Sequence, residues 1–244
     1  MSLVVAMARS DGVVAAVDSR LSLVDDETRA VNRSFDSEQK YLLLSDRCVI
    51  ALHGNDAEFA KAILHFLDGD RNRSLRNVTD IVEDIFPRLR ERYAKLIEGL
   101  PDGGTGKRVA LDFCVAGLDD GKARIFLVGS EDGFAPHLWS RPLVLGATEV
   151  AGYWLAKLWS ETLSATSLRQ LALWIQVESA NSNRYVGGPI RIITVSPDGF
   201  EEELIGSDDP VRDEISERVV TIARGWLMEA RRTRSGSQTP VGQS

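Results

Sequence analysis

Three Asp-Gly pairs, Asp11-Gly12, Asp120-Gly121 and Asp198-Gly199, each stand between two apolar runs. Such a pair is a strong hairpin signal, because both residues tolerate the left-handed backbone of a tight turn. The flanking runs cover residues 3–8 and 13–17, 110–117 and 123–128, and 190–195 and 200–205. Consecutive strands joined this way must pair antiparallel. A parallel sheet built from βαβ units is therefore excluded.

The remaining segments alternate between the two periodicities. Gln39-Lys40-Tyr41-Leu42-Leu43-Leu44 and Cys48-Val49-Ile50-Ala51-Leu52 read as strands, the second closed by His53-Gly54-Asn55. Asn55 is placed to cap a helix, with Glu58 three residues on, and Phe59, Ala62, Ile63, Phe66 and Leu67 follow at helical spacing. Val78, Ile81, Val82, Ile85, Leu89, Tyr93 and Leu96 mark a second helix, which Pro87 is expected to kink or split. Residues 138–145 return as extended chain ending at Gly146. Thr148 is expected to cap a helix carrying Val150, Tyr153, Trp154, Leu158 and Trp159. A further helix is expected over 167–179, and a last one on Val211, Ile215, Val219, Ile222, Trp226 and Ala230. Residues 21–38 are polar without a period and read as a loop or irregular hairpin. Runs of strands alternating with runs of helices predict an α+β chain. The expected architecture is a four-layer αββα sandwich, two antiparallel sheets between helix layers. Residues 1–232 are expected to form one domain, and 233–244 a disordered Ser/Gly/Gln-rich tail.

Composition narrows the function. A net charge of −7 argues against a nucleic-acid or anionic-membrane partner. No apolar run reaches the roughly 20 residues of a membrane span, and no basic-then-apolar leader is visible, so a cytoplasmic protein is expected. Cys48 and Cys114 lie inside apolar strands and read as buried small hydrophobes. Neither they nor His53, His65 and His137 show metal-ligand spacing, so no metal or cofactor is expected. The loop 101–107 only superficially resembles a phosphate loop. Pro101 stands where that motif needs glycine, and Arg108 where it needs serine or threonine.

The chemistry points to the start. Ser2 precedes the first strand. Removal of Met1 would put an α-amine, with a pKa of about 7.7–8.0, and a hydroxyl on one residue. A hydroxyl nucleophile with its own terminal amine as base is a known catalytic arrangement. An ordinary strand near a terminus is the plain alternative. Asp18-Ser19-Arg20, taken alone, read as a solvated strand end.

In their order and spacing, several of these words resemble the proteasome-type β-subunit family of N-terminal nucleophile hydrolases. They are the run from Asp11 to Arg20 after a nucleophile, Gln39-Lys40-Tyr41-Leu42, His53-Gly54, Gly146 opening a helix, and Arg184-Tyr185-Val186-Gly187-Gly188. The resemblance spans about residues 2–205 and implies the same sandwich fold. It implies Ser2 as nucleophile, Asp18 and Lys40 as the catalytic aspartate and lysine, and Gly54 as an oxyanion-hole N–H. It places an extended peptide between the chain after Arg20 and the chain after Gly54. Arg20, Leu21 and Leu52 would then be substrate-binding, with Leu21 and Leu52 lining the first specificity pocket. It further implies a peptide or unfolded-protein substrate, a homo-oligomeric ring and an ATP-dependent unfoldase as partner. Serine replaces the family's usual threonine, and Ala147, Asn183 and Val186 depart from its auxiliary residues. A catalytically inactive assembly or scaffold subunit, and an amidase for small molecules, are the alternative readings.

Overall fold

The computed structural model describes residues 3–24, 31–36, 39–69, 77–100 and 109–218. The loop 101–107, Trp226 and the tail after Arg234 lie outside them. The chain divides into two compact units, Met1–Ser207 and Asp208–Ser244. Of the second, a helix over 210–218 is described. All other elements belong to the first.

Each Asp-Gly signal marks a hairpin. β1 (Leu3–Arg9) turns into β2 (Gly12–Asp18), with Arg9 opposite Gly12. β7 (Leu111–Asp119) turns into β8 (Lys122–Gly129). Here Asp120 and Gly121 take φ of 48° and 82°, which matches the right-handed twist of the strands they join. β11 (Ile190–Ser196) turns into β12 (Gly199–Ile205). The other strands are β3 (Leu21–Val24), β4 (Val31–Phe35), β5 (Tyr41–Ser45), β6 (Cys48–Gly54), β9 (Pro136–Trp139) and β10 (Leu143–Gly146). They form two five-stranded antiparallel sheets, β10-β1-β2-β11-β12 and β5-β6-β7-β8-β9, and a two-stranded ribbon, β3-β4. The polar segment 21–38 thus contains a hairpin, bulged between Leu23 and Val24.

The helices are α1 (Ala57–Gly69), α2 (Val78–Glu98), α3 (Thr148–Leu158) and α4 (Ala165–Ser182). Side-chain alternation explains the layers. Ile50, Leu52, Phe113 and Val128 pack outward against Phe59, Ile63, Ile81, Leu89 and their neighbours on α1 and α2. Val49, Ala51 and Cys114 face inward and meet Val4, Val13, Ala15, Val17 and Ile193 of the other sheet. α4 packs on β1, β2 and β11, and α3 on β10 and α4. The first unit is therefore an α+β sandwich of two antiparallel sheets with helices on its faces. No helix among the described residues is long and apolar enough to cross a membrane.

Four local expectations need correction. Asp56, not Asn55, caps α1: its Oδ1 accepts from Phe59 N at 3.0 Å, and Asn55 Oδ1 instead accepts from Ala110 N at 2.9 Å. Thr148 is the first residue of α3, and the cap position is Ala147. The extended run 138–145 is two strands in different sheets, because the chain crosses between layers at 140–142. Of the kink or split expected at Pro87, the split is excluded, since α2 runs unbroken for 21 residues.

Proline in a helix interior costs about 3 kcal/mol, and replacing it returns up to about 1 kcal/mol of entropy to the unfolded chain. Pro87→Ala is therefore expected to stabilise the fold by about 2 kcal/mol, read as an increased urea midpoint with an unchanged slope.

The two sheets are also tied by a polar contact. Tyr41 on β5 donates its hydroxyl to Glu202 Oε1 on β12 at 2.7 Å. Arg191 on β11 pairs with the same carboxylate, and its guanidinium lies 5.6 Å from the Tyr41 ring centre. Burial first, then the Glu202 carboxylate, pushes the Tyr41 phenol up to about 12.

Candidate active site

β2 is apolar from Val13 to Val17 and ends at Asp18, whose side chain is fully enclosed. A carboxylate removed from water is costly unless charge and hydrogen bonds replace its hydration. Three donors do so. Oδ1 accepts from Lys40 Nζ at 3.0 Å and from Leu3 N at 2.9 Å. Oδ2 accepts from Gly187 N at 3.1 Å. The expectation of a solvated strand end is thereby corrected for Asp18 and for Ser19, which is 5% exposed and donates its hydroxyl to Pro189 O at 2.7 Å.

Lys40 precedes β5 and belongs to the opposite layer from Asp18. Its side chain is 11% exposed, and its ammonium also donates to the main-chain oxygen of Arg20. The Leu3 amide and an ammonium thus meet at one oxygen of a buried carboxylate. Ser2, the expected nucleophile, lies outside the described residues. Leu3 N is the atom to which it is bonded.

Gly54 ends β6. Leu52 N donates to Lys40 O at 2.8 Å. Because N–H directions alternate along an extended chain, Gly54 N–H points to the same edge as that of Leu52, beyond Lys40. A Cβ on Gly54 would lie 2.6 Å from Leu111 Cδ2, so close strand packing accounts for the glycine.

Of the expected substrate-binding residues, Leu52 is 3% exposed and belongs to the core under α1 and α2. The side chain of Leu21 lies outside what the structure describes. Arg20 is engaged by other parts of the chain. Its Nε and Nη2 each lie 2.8 Å from a carboxylate oxygen of Asp36, and its Nη1 lies 3.4 Å from Arg184 O and from Val186 O. The hydrogen bond to Asp36 holds the guanidinium pKa above its ordinary value.

Two residues at this site escape a sequence reading. Asp36 lies in the polar segment without a period. Gln176 of α4 is fully buried, and its Nε2 donates to Leu3 O at 3.2 Å and Ala16 O at 3.0 Å. The signal for Gln176 is a long amide on the apolar stripe Leu168, Leu171, Ala172 and Ile175. Among the described residues, no group of three or more His, Cys, Asp or Glu is placed to hold a metal ion.

No family model matches the chain, and no curated protein matches it. Solved structures do. A Gly-1 mutant of Anbu from Hyphomicrobium sp. strain MC1 is similar with a TM-score of 0.69 and 16% identity, covering 95% of this chain and 100% of that one. The helical assembly of the Anbu complex from Pseudomonas aeruginosa gives 0.68 and 16%, covering 98% of each chain. Anbu from Yersinia bercovieri, described as an ancestral β-subunit, gives 0.66 and 17%, covering 99% and 100%. These neighbours correct the expected placement among proteasome-type β-subunits, because Anbu forms a related but distinct family. At such identities the likeness establishes the fold.

Proposed function

We propose that this chain is a subunit of a self-assembling, proteasome-like complex, and that Ser2, freed by removal of Met1, hydrolyses peptide or amide bonds. The observation that carries the hydrolytic reading is the sharing of one Asp18 oxygen by Leu3 N and Lys40 Nζ, at 2.9 and 3.0 Å. Leu3 N is the atom bonded to residue 2, so the ammonium shares a carboxylate oxygen with the residue next to the proposed nucleophile. Self-assembly is supported by the Pseudomonas aeruginosa neighbour, described as a helical assembly.

The proposed reaction uses these groups in turn. The Ser2 hydroxyl attacks the substrate carbonyl, and its proton passes to the neutral α-amine. Lys40 stabilises the developing alkoxide and, as a like charge, lowers the pKa of the α-amine so that it is neutral near pH 7. Asp18 holds Lys40 in place. Gly54 N–H donates to the oxyanion, a contact worth about 3 kcal/mol in comparable sites. The α-ammonium then protonates the leaving amine. Water, activated by the same amine, releases the acyl group from Ser2.

A second reading, a subunit that assembles without catalysis, is favoured by the turn at 183–186. Asn183 Oδ1 accepts from Tyr185 N at 2.9 Å and Val186 is fully buried. These positions therefore offer the chain start no hydroxyl or carboxylate.

Intact-mass spectrometry and labelling with a peptide epoxyketone separate the two. Hydrolysis predicts loss of Met1 and a single adduct on residue 2 that is absent from Ser2→Ala. Retained Met1, or equal labelling of Ser2→Ala, would refute it.

A further inference from the structure

We infer that Arg20 and Asp36 are a positioning pair that sets the Asp18–Lys40 contact, a role that presupposes the hydrolysis proposed above. Arg20 feels the Asp18 charge directly, and the pair also acts on the site through the backbone. Asp18 and Lys40 each have a main-chain support that the pair fixes. Gly187 N supports Asp18, and Arg20 O supports Lys40.

The Arg20 guanidinium lies directly against the first support. Two of its nitrogens fork onto Asp36, and the third faces Arg184 O and Val186 O, the carbonyls that lead into Gly187. Space there is already used. A Cβ on Gly187 would sit 2.7 Å from Arg20 Cζ. A Cβ on Gly188, at φ +70°, would sit 2.9–3.1 Å from Asp36 Cβ, O and Cα. The glycine pair is therefore the socket into which the ion pair fits. Ser19 N donates to Gly187 O at 3.2 Å and completes the joint between the turn and the end of β2.

The pair also closes the base of the β3-β4 ribbon. Leu21 opposite Phe35 is the first rung of that ribbon, and Arg20 and Asp36 are the residues just outside it. Planar bidentate geometry is essential to this joint, because one side chain must satisfy a carboxylate and two carbonyls together. Lysine, with one compact donor group, cannot span them.

The test compares Asp36→Asn, Asp36→Glu and Arg20→Lys with the wild type in the assembled protein. Hydrolysis of a fluorogenic peptide and amide hydrogen exchange at Leu3 and Gly187 are both measured. Asp36→Asn and Arg20→Lys are expected to lower kcat about tenfold or more with KM within about twofold, as misplacement of a catalytic group does. They are also expected to speed exchange at Leu3 and Gly187 about tenfold while Val115, deep in the other sheet, is unchanged. Asp36→Glu keeps the fork and is expected to recover most of the rate. Wild-type kcat in both charge-altering variants would overturn the inference. So would a loss of kcat with unchanged exchange at Leu3 and Gly187, or with Val115 loosened equally. If the wild type shows no turnover, the fault lies with the hydrolytic reading, and the exchange measurements alone decide whether the pair sets the site.

Discussion

Lys40→Met is expected to lower peptide hydrolysis by about a thousandfold or more. Methionine keeps much of the length of the stem and removes the charge. In the proposed mechanism the serine alkoxide then loses its counterion, and the α-amine loses the like charge that keeps it neutral. Its pKa should return towards about 8, so residual activity should shift to higher pH. The check is a rate–pH profile beside a thermal melt, because the substitution also leaves the enclosed Asp18 carboxylate without a cation. Residual activity above about a tenth of wild type would mean that the ammonium serves the fold alone.

Asp18→Ala is expected to cost about 3–5 kcal/mol of stability, the range for removing one partner of a buried ion pair. Alanine removes the acceptor that three donors share: the Lys40 ammonium, Leu3 N and Gly187 N. Asp18→Asn keeps an oxygen for some of them and should cost less. The double variant Lys40→Met with Asp18→Leu should be more stable than the sum of the two single losses implies, because no uncompensated charge remains. Urea unfolding of the four proteins measures this. Strict additivity would mean that the contact contributes little.

How much of this the sequence reveals depends on the range over which each feature is decided. The hairpins are legible because an Asp-Gly pair and its flanking apolar residues settle a turn within a few residues. The layers follow from the alternation of Val49, Ile50, Ala51 and Leu52, which assigns each side chain to one face or the other. Where two adjacent residues compete for one role, local rules fail. Asn55 and Asp56 are both good caps, and the choice falls to Asp56 because Asn55 is needed by Ala110 on the next strand. The run 138–145 looks continuous because nothing in its composition records a change of sheet.

Site residues follow the same division. Lys40 and Asp18 stand out only through the resemblance, since taken alone Asp18 reads as a solvated strand end and nothing local marks Lys40. Asp36 does not stand out at all, since it lies among polar neighbours and gains its meaning only from Arg20 and a glycine pair about 150 residues later. Leu52 shows the reverse error. Its place beside Gly54 suggests a pocket, and strand alternation turns it into the core instead. The family assignment fails for a related reason: short words in the right order report a fold, and the solved structures that share this one at 16–17% identity are Anbu proteins.

The wide spacing of the contacts has a consequence for synthesis. Asp18 depends on a backbone amide 169 residues further on, and Leu3 on a side chain 173 residues further on. The hairpin carrying Leu3 and Asp18 leaves the ribosome first but waits for its sheet neighbours, β10 and β11, to follow. At about 5–20 residues per second that wait lasts on the order of 10–30 s. Throughout it neither end of that hairpin is pinned, because the Gly187 amide that supports Asp18 and the Gln176 side chain that supports Leu3 have not yet been made.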